Sequence, residues 1–252
     1  MLDTGGILWY NGEEFKQGGT EMGIGIAGLQ KLTLLDFPGR VACTVFLGGC
    51  NLRCPFCHNA SLVVPHGEMP HMDENAFFDF LKKRQGVLDG VCVTGGEPLL
   101  YPELGAFLAK IRAMGFLVKL DTNGTLPDRL APLLSAGTVD YVAMDVKHAP
   151  SKYPTAVGVD VDTERVAESM SLIKASGVAH EFRTTLVKGL HTEADVAEMA
   201  RAVGDSAYFL QGFIDSGDLI DGADLSAFDK EEMTALCETA KKYAPQCRVR
   251  GV

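Results

Sequence analysis

Three cysteines between residues 50 and 57 have the type and the spacing of iron–sulfur ligands. Cys50, Cys54 and Cys57 form a Cys-x3-Cys-x2-Cys pattern directly after a short apolar run. Thiolates are the natural ligands of iron–sulfur clusters, and a cubane commonly takes four of them. Three local thiolates would leave one iron with an open position, as in catalytic metal sites. Gly48 and Gly49 let the chain turn tightly before the first of these cysteines.

Structural zinc is the alternative use of the same cysteines. Zinc sites usually have four ligands, commonly in two separated pairs. His58 could complete such a set, but its adjacency to Cys57 makes tetrahedral closure awkward. The motif therefore favours a cluster over zinc. Elsewhere, Cys43, Cys92 and Cys237 lie in strand or helix patterns, where a cysteine behaves as a small buried hydrophobic residue.

The composition is that of a globular chain, and it narrows the classes of function. The 252 residues are 46% hydrophobic and 22% charged, with a formal net charge of −10. A broad nucleic-acid-binding face is not expected, because phosphate binding needs clustered Lys and Arg. No apolar run reaches the roughly 18 residues of a membrane span, and the N-terminus lacks a signal-peptide pattern. Since only three of the seven cysteines cluster, a secreted disulfide framework is disfavoured, and we expect a cytoplasmic protein without a membrane partner.

Strand and helix patterns alternate from residue 25 onward. Short apolar, β-branched runs predict six strands, at Val41–Leu47, Val91–Thr94, Phe116–Asp121, Tyr141–Asp145, Phe182–Val187 and Tyr208–Gln211. Helical patterns with capping and stop signals follow them, at Met72–Gln85, Pro102–Met114, Pro127–Ser135, Thr163–Ala175, Thr192–Val203 and Asp229–Tyr243. Parallel strands need such crossovers, and six units fall short of the eight that close a (β/α)8 barrel. The sequence therefore predicts an α/β fold with a partial, open (βα)6 barrel.

Residues 1–24 are predicted to be a flexible N-terminal extension, and residues 25–252 a single domain. The first segment is rich in glycine and polar residues and has no clear period. A further hypothesis is that translation begins at Met22, because Gly18-Gly19 can be encoded by a GGAGG-like ribosome-binding sequence. The intact mass of the natively expressed protein tests this, and a mass that includes Met1 would contradict it.

The cysteine motif, with the aromatic Phe56 before its third cysteine, resembles that of the radical S-adenosylmethionine (SAM) superfamily. Gly95-Gly96-Glu97-Pro98 follows the second predicted strand and is similar to the motif that binds the SAM amino group in that family. The resemblance implies a radical SAM type of open barrel and a [4Fe–4S] cluster on the three cysteines. It also implies that SAM chelates the open iron.

Within the superfamily, the chain after residue 25 most resembles the activases of glycyl radical enzymes. The similar segments are Leu35-Asp36-Phe37-Pro38-Gly39, Cys57-His58-Asn59, Leu120-Asp121-Thr122-Asn123-Gly124 and Asp145-Val146-Lys147. The activating protein of anaerobic (class III) ribonucleoside-triphosphate reductase is the most similar kind. One departure is Phe37, which stands where pyruvate formate-lyase activase has glycine, and it suggests a different partner loop.

The resemblance, together with positions at strand ends, assigns roles to individual residues. The predicted contacts to SAM are Phe56, Gly95, Gly96, Glu97, Asn123, Asp145, Lys147 and Arg183. The residues predicted to hold a monovalent cation beside the SAM carboxylate are Asp121, Thr122, the carbonyl of Ala143 and Asp145. Asp36 and His58 are predicted to contact the protein partner, and His191 and Gln211 are weaker candidates for the site. The alternatives are that the aspartates cap turns, that Phe56 is a packed aromatic and that Lys147 is a solvated surface lysine.

The implied reaction begins with reductive cleavage of SAM to methionine and a 5′-deoxyadenosyl radical. That radical removes the α-hydrogen of a glycine in the partner, so no protein acid or base is assigned. A flavodoxin or a ferredoxin is the implied electron donor. The alternatives are another glycyl radical enzyme as partner, or a small-molecule enzyme similar to 7-carboxy-7-deazaguanine synthase, whose third cysteine continues as Cys-Asp-Thr. A peptide-modifying enzyme and a zinc-binding interaction module are disfavoured.

Overall fold

The computed structural model describes residues 8–9, 24–64, 71–215, 217, 219–222 and 224–251. The strands are β1 Leu8–Trp9, β2 Ile26–Thr33, β3 Ala42–Leu47, β4 Gly90–Gly95, β5 Leu117–Thr122, β6 Tyr141–Asp145, β7 Ala179–Leu186, β8 Tyr208–Gly212 and β9 Cys247–Arg250. The helices are α1 Ala60–Val63, α2 Glu74–Lys82, α3 Leu104–Ala113, α4 Pro127–Ser135, α5 Tyr153–Val157, α6 Thr163–Ala175, α7 Glu193–Val203 and α8 Lys230–Lys241. All six predicted strands and all six predicted helices are present, with ends that differ by a few residues at most.

The strands form one open, mostly parallel sheet, which confirms the predicted fold class. Strand order in the sheet follows the chain from β1 to β9. β2 runs antiparallel to β1 and to β3, whereas β3 to β5 and β7 to β9 pair in parallel. All six residues of β3 are buried, as expected for a parallel strand that is covered on both faces.

The chain divides into two compact units. The first comprises Met1–Asn51, Ser61–Asp121 and Leu133–Tyr141. Within it, parallel pairing sets Thr44 of β3 beside Cys92 of β4, and Cys92 beside Lys119 of β5. Helices α2 and α3 pack through Phe77 and Phe107, whose stacked ring centroids are 5.4 Å apart. The register of this unit therefore aligns polar side chains from neighbouring strands.

The second unit comprises Leu52–Ala60, Thr122–Pro132 and Val142–Val252. Helices α7 and α8 begin at Thr192 and Asp229, and each of these residues forms a reciprocal capping box with the third residue of its helix. These caps and those at Asp73 and Asp162 are short-range signals, and the helices begin where those signals predict. The residue at which each of these helices begins is therefore determined largely by the local sequence.

Three of the described strands, β1, β2 and β9, have no counterpart in the sequence prediction. β2 contains Gly28 and three polar residues, so its apolar pattern is weak, yet it pairs with β3. β9 is a short, charged run that pairs with β8. Of residues 1–24, only Leu8, Trp9 and Ile24 are described, so the predicted extension otherwise lies outside the described residues. No described helix has the length and the apolar character needed to cross a membrane.

Candidate active site

The loop after β3 carries Cys50 and is held by backbone hydrogen bonds. Gly49 adopts φ +81°, a conformation that favours glycine. Its amide donates to the carbonyl of Leu62 at 2.8 Å, and its carbonyl accepts from the amide of Glu97 at 2.8 Å. The position of Cys50 is therefore tied to the segment that follows β4.

The Gly95-Gly96-Glu97 segment approaches this loop so closely that position 96 has no room for a side chain. A Cβ on Gly96 would overlap the carbonyl oxygen of Gly49 and would lie 3.2 Å from the Cβ of Cys50. Gly95 adopts φ +134°, and a Cβ there would overlap the backbone of Leu47. The two glycines thus bring two strand ends into contact. They have a steric role in addition to the predicted contact with SAM.

Glu97 is fully buried and caps a turn. Its carboxylate accepts a hydrogen bond from the amide of Leu99 at 3.0 Å, at the start of a short 3-10 helix, Pro98–Leu100. Its backbone amide holds the loop that bears Cys50. The predicted role of Glu97 in SAM binding stays a prediction.

The second unit presents Cys54 and Cys57. Cys54 is buried and Cys57 is half-buried, and the Cys57 amide donates to the Cys54 carbonyl at 3.1 Å. The preceding residue, Arg53, donates its amide to the carbonyl of Val157 at 2.7 Å. Gly158 lies against Arg53, where a Cβ would overlap the Arg53 carbonyl. Helix α5 therefore supports the start of the segment that carries these two cysteines.

Asp145, Lys147 and Arg183 form one charge cluster at the ends of β6 and β7. The Asp145 carboxylate accepts from Lys147 Nζ at 3.0 Å and from Arg183 Nε at 2.8 Å. Burial opposes ionisation of Asp145, but the charges of Arg183 and Lys147 outweigh it and hold its pKa well below the usual range. Three residues predicted separately as SAM contacts thus lie in direct contact with one another.

The Lys147 ammonium also lies in the field of two cysteines. Burial disfavours this ammonium, but Asp145 and the thiolates of Cys54 and Cys57 together raise the pKa of Lys147 above its usual range. Lys147 is half-buried, so the alternative of a solvated surface lysine is not what the structure shows. A positive charge is therefore held beside two of the three motif cysteines.

Buried aromatic side chains fix the backbone of Lys147. The amide of Lys147 donates to the hydroxyl of Tyr153 at 3.2 Å, and its carbonyl accepts from Nε2 of His191 at 2.9 Å. His191 Nδ1 accepts from the amide of Val187 at 3.0 Å, so this neutral tautomer satisfies both partners. Burial lowers the pKa of His191, in keeping with a neutral ring. The sequence marks His191 only as a weak candidate, and it carries no signal for Tyr153.

Asp121 of β5 is paired within the first unit. Its carboxylate forms a salt bridge with the ammonium of Lys119, two residues earlier on the same face of the strand. Cys92 Sγ lies 3.7 Å from the Lys119 ammonium and 3.8 Å from the Asp121 carboxylate. The sequence does not mark Lys119 as a site residue, because nothing in a strand pattern shows that a lysine within it is buried.

The other residues predicted around the cation shape the segments near strand ends. Thr122 Oγ1 accepts from the amide of Gly124 at 3.1 Å, and Asn123 Oδ1 accepts from the amide of Thr125 at 3.0 Å. Ala143 is fully buried within β6. The aspartates therefore form ion pairs, and the turn after β5 is made by Thr122 and Asn123. The set of cation ligands stays a prediction.

Asp36, His58 and Phe56 each contact another side chain within their own unit. The Asp36 carboxylate accepts from Thr44 Oγ1 at 2.5 Å. The ring of His58 lies 5.8 Å from that of Phe213. Phe56 is buried, with its ring centroid 6.3 Å from that of His191, and its predicted contact with SAM stays a prediction.

Phe37 is a structural residue of the loop between β2 and β3. It is buried, with its ring 6.0 Å from that of Tyr141, and its edge fills the space that a Cβ on Gly90 would take. Its neighbours Leu34 and Leu35 are exposed, Leu35 to 87%. Phe37 therefore packs inward, and the exposed apolar surface of this loop belongs to Leu34 and Leu35.

The donor chemistry of the cysteine segment fits an iron–sulfur cluster. Three thiols lie within eight residues, and two of them lie in the field of the Lys147 ammonium. Across the described ranges, no three His, Cys, Asp or Glu side chains group as ligands of a single metal ion. Since the thiolates of a cubane bind different irons, they need not converge on one point.

Comparison with known proteins identifies the family. Residues 44–203 match the model of the radical SAM superfamily. A protein of Methanocaldococcus jannaschii, provisionally named a glycyl-radical enzyme activating enzyme, is 32% identical over 235 residues, which cover 90% of this chain and 96% of that protein. A 7-carboxy-7-deazaguanine synthase of Methanopyrus kandleri is 30% identical over 186 residues, which cover 62% of this chain and 70% of that protein.

The fold has solved neighbours as well. A domain of a pyruvate-formate lyase-activating enzyme from Bacteroides vulgatus superimposes with a TM-score of 0.51 at 18% identity, over 64% of this chain and 99% of that one. At this identity the likeness concerns the fold alone. The family match covers the cysteine motif and the strand ends that carry the charged residues. The chain therefore belongs to the radical SAM superfamily, whose enzymes use a [4Fe–4S] cluster and S-adenosylmethionine.

Proposed function

We propose that this radical SAM enzyme is an activase that generates a glycyl radical on a partner enzyme, and that the partner is anaerobic ribonucleoside-triphosphate reductase. The observation that carries the activase role is the similarity to the activating enzyme of M. jannaschii over nearly the whole length of both chains. The Cys57-His58-Asn59 and Leu35–Gly39 segments support the activase role, because they resemble those of the activases. Phe37, which stands where pyruvate formate-lyase activase has glycine, supports a partner other than pyruvate formate-lyase.

The chain's own residues hold and orient the cofactors in this proposal. Cys50, Cys54 and Cys57 hold the cluster, and the Gly95-Gly96-Glu97 segment, which lies against the loop of Cys50, binds the amino group of SAM. When bound, the reduced cluster and SAM supply a 5′-deoxyadenosyl radical that removes the α-hydrogen of a glycine. Lys147 offsets the negative charge of the thiolates and faces the SAM carboxylate. No protein side chain acts as a proton donor or acceptor.

The partner docks, in the same proposal, on the loop between β2 and β3. Leu34 and Leu35 offer exposed apolar contacts, and Asp36 offers a carboxylate that Thr44 holds in place. His58, on the cysteine segment, is the second predicted contact. An electron from a flavodoxin or a ferredoxin reduces the cluster before each cleavage of SAM.

A second candidate is a small-molecule radical SAM reaction like that of 7-carboxy-7-deazaguanine synthase. The relative in M. kandleri supports it, at an identity close to that of the activating enzyme. Two observations favour the activase: the longer match to the activating enzyme, and the continuation of Cys57 as His58-Asn59.

The experiment is an anaerobic activation assay. The chain with its cluster, a reductant and SAM is incubated with and without the reductase. 5′-Deoxyadenosine is then quantified, and the glycyl radical is read by electron paramagnetic resonance. We expect a radical on the reductase that is absent with Cys54→Ala and with a reductase whose radical glycine is replaced by alanine. SAM cleavage without a radical on the reductase would remove this partner, and turnover of a deazapurine precursor would favour the second candidate.

A further inference from the structure

Lys119 is a buried lysine that the proposed reaction does not use. It lies in the middle of β5, and its side chain is 1% exposed. A lysine is rarely buried to this extent unless an opposite charge pairs with it, because removing an ammonium from water is costly. Its pairing with Asp121 supplies that opposite charge. The sequence thus places an ion-paired lysine in the interior of the first unit.

The position of this ammonium follows from the strand. Residues 119 and 121 project from the same face of β5, and the parallel register places Cys92 of β4 beside Lys119. The ammonium therefore lies between the sulfur of Cys92 and the carboxylate of Asp121. The resemblance to pyruvate formate-lyase activase implies a different arrangement for this aspartate, in which a monovalent cation neutralises it.

An ammonium group can neutralise a carboxylate as a potassium ion does. Each brings one positive charge to the oxygens, and a tethered ammonium does so without the entropic cost of capturing an ion from solution. In the second unit, Asp145 is neutralised in the same way by Lys147 and Arg183. Both aspartates of the predicted cation set are therefore paired with cations that belong to the chain.

We propose that the Lys119 ammonium takes the place of the monovalent cation at Asp121, so that this enzyme binds and cleaves SAM without an alkali metal ion. Lys119 is a positioning residue in this role, since it acts through Asp121. The proposal does not depend on which glycyl radical enzyme is the partner, and it holds equally for a small-molecule reaction.

The test compares the wild-type holoenzyme with Lys119→Met and Lys119→Arg in buffers without alkali metal ions. SAM affinity is measured by equilibrium dialysis, with 5′-deoxyadenosine formation alongside it. Potassium chloride is then added to about 0.1 M, and tetramethylammonium chloride at the same concentration controls for screening, which acts over about 10 Å there. Thallium(I) NMR, with thallium as a potassium mimic, reports direct ion binding independently of turnover.

We expect potassium chloride and tetramethylammonium chloride to have the same effect on the SAM affinity of the wild type and of Lys119→Arg. Neither protein should show a saturable thallium site. Lys119→Met is expected to bind SAM about tenfold more weakly without potassium, equivalent to about 1.4 kcal/mol. Potassium, but not tetramethylammonium, should restore its affinity, and one thallium site should appear.

Two results would overturn the proposal. One is a wild type whose SAM affinity rises with potassium and that binds thallium. The other is a folded Lys119→Met whose loss of affinity potassium does not repair, since that loss would be structural. If Lys119→Met fails to fold, the wild-type measurements alone still decide the question.

Discussion

At the scale of single residues, the chemistry of this protein depends on where positive charges lie. Lys147 contacts Asp145 directly, and although burial opposes its charge, Asp145 and the thiolates of Cys54 and Cys57 together raise the pKa of Lys147. A fixed positive charge near a cluster stabilises the more negative, reduced state, because the added electron interacts favourably with it. We therefore expect Lys147 to favour the reduction of a cluster held by these cysteines.

Replacing Lys147 with methionine is expected to make the cluster harder to reduce. The loss of one nearby charge should lower the reduction potential by about 60 mV, which corresponds to about 1.4 kcal/mol for one electron. A redox titration followed by electron paramagnetic resonance measures the reduction potential of the cluster in each variant. Lys152→Met is the control, because Lys152 lies on the same segment but pairs with Asp195. Equal potentials in the two variants would show that Lys147 does not tune the cluster.

At the scale of elements, parallel strands bring the loops that follow them to one edge of the sheet. β3 and β4 pair from Ala42↔Gly90 to Leu47↔Gly95, so the segments after them emerge side by side. The cysteine segment and the glycine segment then share backbone hydrogen bonds at Gly49. The sheet positions Cys50 through its strand register, and Gly96 makes the close contact sterically feasible.

Gly96→Ala is expected to prevent stable assembly of the cluster. The added methyl group would overlap the Gly49 carbonyl and push Cys50 away from its place. Iron and sulfide per chain after reconstitution should fall to less than about half of the wild-type value, because an overpacked site typically costs about 1 to 3 kcal/mol. Gly105→Ala is the matched control, since its methyl group would meet only the end of Leu133 at 3.3 Å. Normal iron content in Gly96→Ala would refute this account of the contact.

At the scale of the whole molecule, the last strand joins the sheet through a buried charge. Arg250 of β9 forms two hydrogen bonds to the carboxylate of Glu181 on β7, at 3.0 and 3.2 Å, and its guanidinium lies 3.6 Å from the centroid of the Phe209 ring. Glu181 is 1% exposed. Arg250 therefore pairs with a carboxylate that has almost no access to water.

Arg250→Gln is expected to lower the stability of the fold. Removing one partner of a buried ion pair leaves an uncompensated charge, and we expect a loss of about 2 kcal/mol because the arginine side is partly exposed. This loss of stability should lower the thermal midpoint of the holoenzyme by several degrees. Arg248→Gln, on the same strand but exposed, should leave the midpoint within about one degree, as surface substitutions usually do. Equal midpoints in the two variants would show that the Glu181 pair does not stabilise the sheet.

Much of the fold and of the site could be predicted from the sequence because the signals are local. The spacing of the cysteines, the strand and helix periods, and caps such as Thr192 and Asp229 each lie within a few residues. The sequence therefore determined six strands, six helices and the open α/β class, and it predicts the cluster ligands. The roles of the residues at the strand ends come from the resemblance to the activases and stay predictions.

Only the tertiary structure decided which side chains meet. The burial of Phe37, the contact of Lys119 with Cys92 and the pairing of Arg183 with Asp145 depend on partners that neighbouring strands supply. The hydrogen bond from His191 to the carbonyl of residue 147 joins segments 44 residues apart. A charge in a sequence carries no record of its distance from another charge, so the electrostatics of this site became visible only once the strands were paired.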